Sequence, residues 1–257
     1  MTQADILAVL SGSVVGLVLA LIGGGGSILA TPALLYVVGV ANPHVAIGTS
    51  ALAVSVNAFA NFLNHLKRGN VKWRCAVVFG MAGVVGASIG AAIGKATDPK
   101  ILLPLFAVLM IVVGAAMLRP RKHEGDGNVV LNAQNLPKLL AYGFGVGVLS
   151  GFFGIGGGFL IVPGLIGATG MTMIQAVGSS LFSVGAFGAA TAASYALDNL
   201  IDWRIALLFI GGGVIGGAVG ASFASHLAKQ RGALQRIFAG VVFAVAAYML
   251  YRSLFSA

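Results

Sequence analysis

The sequence predicts an all-α fold, a polytopic bundle of transmembrane helices built of two inverted repeats of about five helical segments each. Composition, charge distribution and an internal repeat support this prediction. Of 257 residues, 58% are hydrophobic and 8% are charged, whereas a soluble domain carries roughly 25% charged residues. The chain has too few charges to cover a water-facing surface, which excludes the soluble class.

Charged residues are confined to short stretches between long apolar runs. No Asp, Glu, Lys or Arg occurs between Asp5 and Lys67 or between Lys138 and Asp198. About 20 apolar residues span the hydrocarbon core, so each of these two runs can hold several spans. The formal net charge of +9 lies in the loops, which indicates cytoplasmic loops of a membrane protein and not a nucleic-acid-binding surface.

The two halves of the chain repeat each other in order. GGGGSILATP at 23–32 resembles GIGGGFLIVP at 154–163, and AIGTSALAVSVNAF at 46–59 resembles AVGSSLFSVGAFGA at 176–189. VKWR with IDWR, GVVGASIGA with GVIGGAVGA, and LFAVLMIVVGAAML with IFAGVVFAVAAYML follow at the same spacing of 130–132 residues. Such an ordered series indicates duplication. The predicted units are a first transmembrane repeat at 1–118, a cytoplasmic linker at 119–137 and a second transmembrane repeat at 138–257.

Each repeat is predicted to contain five helical segments. In both repeats the second segment is too short for an untilted span, follows a glycine cluster and carries an early proline, Pro32 or Pro163. Short broken or re-entrant helices at matching places in two halves are typical of transporter binding sites. The predicted segments are 5–22, 26–39, 44–64, 73–95 and 100–118, then 137–153, 158–169, 172–197, 204–228 and 235–252.

Equivalent loops of the two repeats carry opposite charge. The loop after segment three holds four basic residues between 67 and 74, whereas its counterpart holds Asp198 and Asp202 against Arg204 alone. Basic loops face the cytoplasm, so the repeats are predicted to be inverted. Each repeat then crosses the membrane an odd number of times, as five spans or as three spans and a re-entrant hairpin, with both termini outside.

The glycine clusters are the first candidates for a binding site. Glycine allows close approach of a ligand, and the helix that follows offers unpaired N–H groups at its positive end, a combination that binds anions. The alternative is tight helix packing, which we expect for Gly86, Gly90, Gly216 and Gly220. The candidate substrate-binding residues of this group are Gly24, Gly25, Gly26, Ser27, Gly156, Gly157 and Gly158.

Hydroxyl and amide side chains inside the apolar runs are the second group of candidates. A pair of hydroxyls recurs near the start of segment three in both repeats, and hydroxyls can donate to the oxygens of an anion. The alternative is a hydrogen bond to a carbonyl of the same or a neighbouring helix. Two asparagines follow one helical turn apart in the first repeat only. The candidates are Thr49, Ser50, Asn57 and Asn61 in the first repeat and Ser179 and Ser180 in the second.

The remaining chemistry favours an anionic or neutral solute over a cation. The sequence has no His-Glu or Cys-His constellation and no carboxylate in the interior of a predicted span. His44, near the start of segment three, is expected to cap a helix, with a proton shuttle as the alternative. We therefore expect no catalytic residue, no metal and no cofactor.

Together the repeated motifs resemble those of the sulfite exporter TauE/SafE family of bacterial and plant membrane proteins, over nearly the whole chain except the central linker. The resemblance implies transport of sulfite or small organosulfur anions across a bacterial plasma (inner) membrane.

The function expected from the residues and the resemblance is secondary transport, most simply export, of a small oxyanion such as sulfite or an organosulfonate. The alternatives are an anion channel and an uptake carrier for another small anion; a membrane enzyme is disfavoured. The expected partners are a small anionic substrate and the lipid bilayer, without nucleic acid, and the sequence is compatible with a homodimer.

Overall fold

The computed structural model describes residues 2–22, 24–118, 125–155, 158–227 and 231–255. These residues form helices and no strand, which confirms the all-α fold. Each of the ten predicted segments is present. They are α1 Gln3–Ile22, α2 at 24–38, α3 Pro43–Lys67, α4 Trp73–Ala96, α5 Pro99–Leu118, α6 Leu136–Phe153, α7 Gly158–Thr169, α8 Met173–Leu197, α9 Trp203–Leu227 and α10 Arg231–Phe255.

The lengths and compositions of these helices make the chain a multi-pass membrane protein. Seven of them, α1, α3, α4, α5, α6, α8 and α9, are long and apolar enough to cross a bilayer. The described apolar stretches of α2, α7 and α10 are shorter, at Gly26–Val38, Leu160–Thr169 and Ala239–Ser253. The two short second segments predicted from the sequence are thus confirmed, while their re-entrant course through a membrane stays a prediction.

Segment α2 is irregular along its whole length. Gly24–Leu29 form 3-10 turns, Ala30–Pro32 one short α-helical stretch and Ala33–Val38 a π-helix. Glycine costs about 1 kcal/mol relative to alanine in a helix, and Pro32 supplies no N–H, so this sequence does not sustain a regular hydrogen-bond ladder. Its counterpart α7 is described as one α-helix with Pro163 inside it.

Both short segments end in the same way. Gly39 after α2 has φ 86° and Gly170 after α7 has φ 72°. Glycine adopts this left-handed conformation without strain, which ends a helix and turns the chain. The next helix of the first repeat then starts at a cap, because the Asn42 side-chain oxygen accepts the His44 N–H at 2.9 Å and Pro43 needs no N–H partner at the first helical position.

Two interfaces join helices of different repeats through glycines. α1 packs on α9 and α4 packs on α6. A Cβ added at Gly16 would lie 2.0 Å from the Gly213 carbonyl oxygen, and one added at Gly147 would lie 2.2 Å from the Gly83 carbonyl oxygen. The helix backbones therefore touch. α1 corresponds to α6 and α4 corresponds to α9, so the two interfaces are equivalent. Each repeat packs helices against the other repeat at both interfaces, and the two repeats are not side-by-side domains.

The four glycines expected to serve packing lie in these two interfaces. A Cβ at any of them would meet a backbone oxygen of the facing helix at 2.9 Å or less. The prediction of a packing role is confirmed for Gly86, Gly90, Gly216 and Gly220.

The third helices, α3 and α8, form an antiparallel pair at the centre. Near the start of α3, Thr49 Oγ1 accepts the N–H of Asp202, which follows the end of α8, at 2.9 Å. Near the start of α8, Ser179 Oγ accepts the N–H of Lys72, which follows the end of α3, also at 2.9 Å. Equivalent helices thus run in opposite directions. Inverted repeats require this arrangement, and the orientation of each copy across a bilayer stays a prediction.

Ion pairs between the repeats lie at one end of the bundle. Arg204 at the start of α9 pairs with Asp5 in α1 at 2.7 Å, and Lys95 at the end of α4 pairs with Asp198 after α8. The opposite end carries the basic α3–α4 loop. We call the ion-paired end the outer end, following the predicted orientation.

Candidate functional site

Ser50 lies where the start of α3 meets the glycine block of the second repeat. Its side chain is fully buried, and its Oγ lies 2.8 Å from Thr31 Oγ1 and 3.5 Å from the Gly154 carbonyl oxygen. The Ser50 hydroxyl also donates to the Ile47 carbonyl at 2.9 Å. One hydroxyl therefore connects α2, α3 and the residue that ends α6.

The two glycine blocks reach the same region. The first turns of α2 contact α1, α7 and α8. Gly24, Gly25 and Gly26 form these turns, and a Cβ at Gly26 would lie 2.6 Å from the Leu19 nitrogen, so Gly26 is required for packing on α1. Ser27 in the same turns is fully buried.

The glycine block of the second repeat lies partly outside the described residues. Gly156 and Gly157, both candidates from the sequence, fall there. Gly158 is described, is buried and begins α7. Its backbone is therefore at the N-terminal end of a helix, where N–H groups lack partners within the helix.

The repeated hydroxyl pairs divide into two kinds. Thr49 and Ser179 each accept a loop N–H and hold the α8–α9 and α3–α4 loops. Ser180 donates to the Val177 carbonyl at 2.8 Å, as Ser50 does to Ile47. The first residue of each pair thus holds a loop of the other repeat, and of the second residues Ser50 also contacts α2 and Gly154.

Asn57 carries a buried amide without a hydrogen-bond partner in the described part of the chain. Its exposure is 0%, and neither its side-chain nitrogen nor its oxygen has a hydrogen-bond partner among the described residues. Its amide lies against Gly213 of α9, where a Cβ would lie 2.0 Å from Asn57 Nδ2. An unpaired buried polar group costs about 1–3 kcal/mol, so this amide is a strong candidate for contact with solute.

Asn61 lies one turn further along α3 and is nearly buried, with 5% exposure. Its Nδ2 donates to the Asn57 carbonyl at 3.0 Å and lies 3.0 Å from the position of a Cβ at Gly217. The two asparagines therefore share one face of α3, directed at α9, as their spacing predicts.

Two buried hydroxyls near this site were missed in the sequence. Thr31 is 1% exposed and contacts Ser50. Ser150, in the last turn of α6, is 0% exposed and its Oγ has no partner among the described residues. Their counterparts in the other repeat, Val162 and Leu19, are apolar. Searching for repeated polar pairs therefore overlooked them, whereas searching for any hydroxyl in an apolar run would have found both.

The buried polar groups limit the chemistry of the interior. Among the described residues, buried polar side chains are hydroxyls and amides, apart from Asp5, which is paired with Arg204 at the outer end. The same residues contain no group of three or more His, Cys, Asp or Glu that could hold a metal ion. Hydroxyls, amide nitrogens and backbone N–H groups are donors suited to the oxygens of an anion.

Comparison with known proteins identifies the family. The family model described as sulfite exporter TauE/SafE matches residues 8–249. The chain belongs to the sulfite exporter TauE/SafE family. A probable membrane transporter protein of Xylella fastidiosa (strain 9a5c) is 51% identical over 254 residues, covering 98% of this chain and 97% of that protein. The probable membrane transporter protein YunE of Bacillus subtilis (strain 168) is 26% identical over 272 residues, covering 98% and 99%.

No solved structure gives a significant match. Membership in the TauE/SafE family and the names of these relatives make the chain a membrane transporter. The region around Ser50 and Asn57 is then the part of this transporter in which buried polar groups from several helices come together.

Proposed function

We propose that this TauE/SafE family member is a secondary transporter that exports a small oxyanion such as sulfite or an organosulfonate. The observation that supports the proposal best is the contact of Ser50 with both Thr31 and the Gly154 carbonyl. It brings a hydroxyl of one repeat to the glycine block of the other, as expected for a solute held between two halves that move relative to each other.

The donors of the interior favour an oxyanion. Ser50 and Thr31 share a hydrogen bond and Asn57 has no partner among the described residues. A small anion with several oxygens could accept from these groups and from the N-terminal turn of α7 without a buried cation. We infer no catalytic role for these hydroxyls and amides, because the partners of the Ser50 hydroxyl among the described residues are a hydroxyl and two carbonyls, and not a base that would activate it.

The direction of transport is supported by the surface charge. Lys67, Arg68 and Arg74 are exposed at the end of the bundle predicted to face the cytoplasm. A basic surface raises the local concentration of anions and their rate of encounter. At the outer end, Lys95 and Arg204 are paired with carboxylates instead. This difference supports loading from the cytoplasm, and hence export.

Counterflow in liposomes tests the substrate class. Purified protein is reconstituted with internal sulfite, and external sulfite, thiosulfate, sulfate, a sulfonate, a carboxylate and an amine are compared. We expect saturable exchange of sulfite or the sulfonate. Flux without counterflow or saturation would indicate an anion channel, and saturable amine uptake insensitive to sulfite would contradict the proposal.

Substitutions test the site in the same liposomes. Ser50→Ala removes a neutral hydrogen bond, so affinity should fall about two- to twelvefold. Asn57→Leu should abolish or strongly reduce exchange while leaving the melting temperature unchanged or higher, because it removes an unsatisfied buried amide. Ser88→Ala is the matched control, since its exposed hydroxyl only returns to the Val84 carbonyl. Unchanged affinity in both site variants would move the site elsewhere.

A further inference from the structure

A separate cleft lies at the outer end of the bundle, between the end of α2, the start of α5 and the end of α10. Its volume is about 550 Å3. It combines apolar walls with two cationic side chains and one phenol. The residues that matter for its chemistry are Leu35, Val40 and Leu103 on the walls and Tyr36, Lys100 and Arg252 as polar groups.

The two cations of the cleft are exposed and have no carboxylate in an ion pair among the described residues. Asp98 is the nearest acid in sequence, and its carboxylate accepts the backbone N–H of Lys100 at 2.8 Å. The Arg252 guanidinium lies 5.8 Å above the Tyr36 ring, which itself packs edge-on against Tyr248 at 5.2 Å. Arg252 is therefore held in place by aromatic rings while its charge stays available.

The equivalent place in the second repeat is covered by the chain itself. There the turn after α7 pairs with the linker: the Asp126 N–H donates to the Gly170 carbonyl at 2.8 Å, and Gln175 Nε2 donates to the Gly127 carbonyl at 2.8 Å. The turn after α2, at 39–41, lines the open cleft instead. One of the two equivalent turns thus contacts the linker segment at 125–128, and the other lines an open cleft beside two cations.

We propose that this cleft binds the headgroup of an anionic phospholipid of the outer leaflet. The phosphate would lie between Lys100 and Arg252, and the acyl chains would continue along the exposed apolar face of α5, which includes Ile101, Leu105 and Val112. A cleft of about 550 Å3 exceeds the size of an inorganic oxyanion, whereas its mixed charged and apolar lining suits a molecule with an anionic head and an apolar tail.

Native mass spectrometry and thermal melting of the purified protein test this site. Phosphatidylglycerol, phosphatidylcholine and inorganic phosphate are added separately. We expect phosphatidylglycerol to bind and to raise the melting temperature, with the other two much weaker. Each juxtamembrane cation contributes about fivefold to affinity for anionic lipid, so the double variant Lys100→Gln/Arg252→Gln should bind roughly 25-fold more weakly.

Two comparisons make the result decisive. Lys67→Gln/Arg68→Gln removes the same charge from exposed positions at the opposite end and should retain phosphatidylglycerol binding. Arg252→Lys keeps the charge, so its affinity for phosphatidylglycerol should lie within about twofold of that of the unaltered protein. A variant that lost affinity because it misfolded would not show this recovery. Equal loss in the control pair, or equal binding of phosphatidylcholine, would overturn the proposal. If inorganic phosphate alone raised the melting temperature as much as phosphatidylglycerol does, the lipid proposal would be wrong and the cleft would be a site for a soluble oxyanion.

Discussion

The second segments of the two repeats hold equivalent positions but have different backbones and different polar side chains. α2 changes its helical form twice within 15 residues at 24–38, whereas α7 is one α-helix. Thr31 in α2 contacts Ser50, but the residue equivalent to Thr31 is Val162. Similarly, the buried amide of Asn57 has Phe187 as its counterpart. The buried amides of the third helices are therefore on the first repeat, whereas buried hydroxyls lie on both repeats.

Where the repeats agree, the shared feature is a backbone requirement. Gly16 and Gly147 are equivalent, and each admits a facing carbonyl oxygen where a Cβ would lie. Thr49 and Ser179 are equivalent, and each holds a loop N–H of the other repeat. Duplication thus preserved the framework that joins the halves, while buried polar side chains such as Thr31 and Asn57 are not repeated. The comparison teaches that a pseudo-symmetric framework can enclose an asymmetric set of buried polar groups.

The largest expected effect concerns the orientation of the two repeats. In a Cys75→Ala background, Lys67→Cys and Leu197→Cys put one cysteine at the last residue of α3 and of α8. Both positions are exposed. An impermeant maleimide applied to intact cells should label Leu197→Cys and leave Lys67→Cys unlabelled, because equivalent loops of inverted repeats face opposite sides.

Permeabilised cells provide the control for this experiment, since both cysteines should then react. Labelling of both positions from the outside in intact cells would contradict inversion. It would also remove the basis for the outer end as defined by the ion pairs, and with it the leaflet assigned to the lipid.

A smaller effect is expected from adding a methyl group at the glycines where the helix backbones touch. Gly16→Ala and Gly147→Ala would each push a Cβ into a backbone oxygen, at 2.0 and 2.2 Å, and should lower the free energy of unfolding by about 1–3 kcal/mol or more. Gly145→Ala, in the same helix as Gly147, and Gly211→Ala, in the helix that faces Gly16, are matched controls, because a Cβ there meets nothing within 4 Å. They should be neutral or stabilising by up to about 1 kcal/mol.

Unfolding midpoints in mixed micelles measure these four variants together. The comparison between repeats predicts similar losses at Gly16 and Gly147, because exchange of the repeats relates their interfaces. A loss at one and none at the other would show that the two interfaces are not equivalent.

Much of the fold could be predicted because a segment that crosses a bilayer must be apolar and long enough to span it, so composition alone reveals such segments. Uncharged runs of span length predict helices, and the repeats predict equal numbers of them, so all ten segments were found. The glycine spacing of α4 and α9 predicted close packing, which is confirmed. It did not predict which helix each of them packs against. Gly86 faces Phe144 and Gly216 faces Ser13, and nothing in a glycine pattern identifies the helix it admits.

The candidate site was predictable only in part. Asn57 and Asn61 were found because amides are rare in apolar helices, and they do lie buried on one face. Thr49 and Ser179 were chosen as repeated hydroxyls, yet their repetition is accounted for by the loops that they hold. Repetition reveals what the symmetric framework needs, whereas Thr31, which touches Ser50, occurs in one copy only and gives no repeat signal.

The smallest effect is expected at the ion pairs that distinguish the two ends of the bundle. Lys95 is paired with Asp198 and donates in addition to the Ser194 carbonyl at 2.9 Å, while its ammonium lies 5.8 Å from the centre of the Tyr195 ring. Asp198 has a side chain that is 53% exposed, so its contribution is screened by water and salt. The residue equivalent to Asp198 in the first repeat is Arg68, so the equivalent position at the other end carries a base and not an acid.

A double-mutant cycle of Lys95→Met and Asp198→Asn should give a coupling energy of about 0.2–1 kcal/mol, falling towards zero in 1 M salt. Lys95→Met should cost more than Asp198→Asn, because it also leaves the Ser194 carbonyl near the end of α8 without this donor. Arg68→Gln, the control, should leave stability nearly unchanged. Equal costs for the two single variants would mean that Lys95 acts through Asp198 alone. A cost at Arg68 equal to that at Lys95 would contradict the contrast between the paired Lys95 at the outer end and the exposed Arg68 at the opposite end.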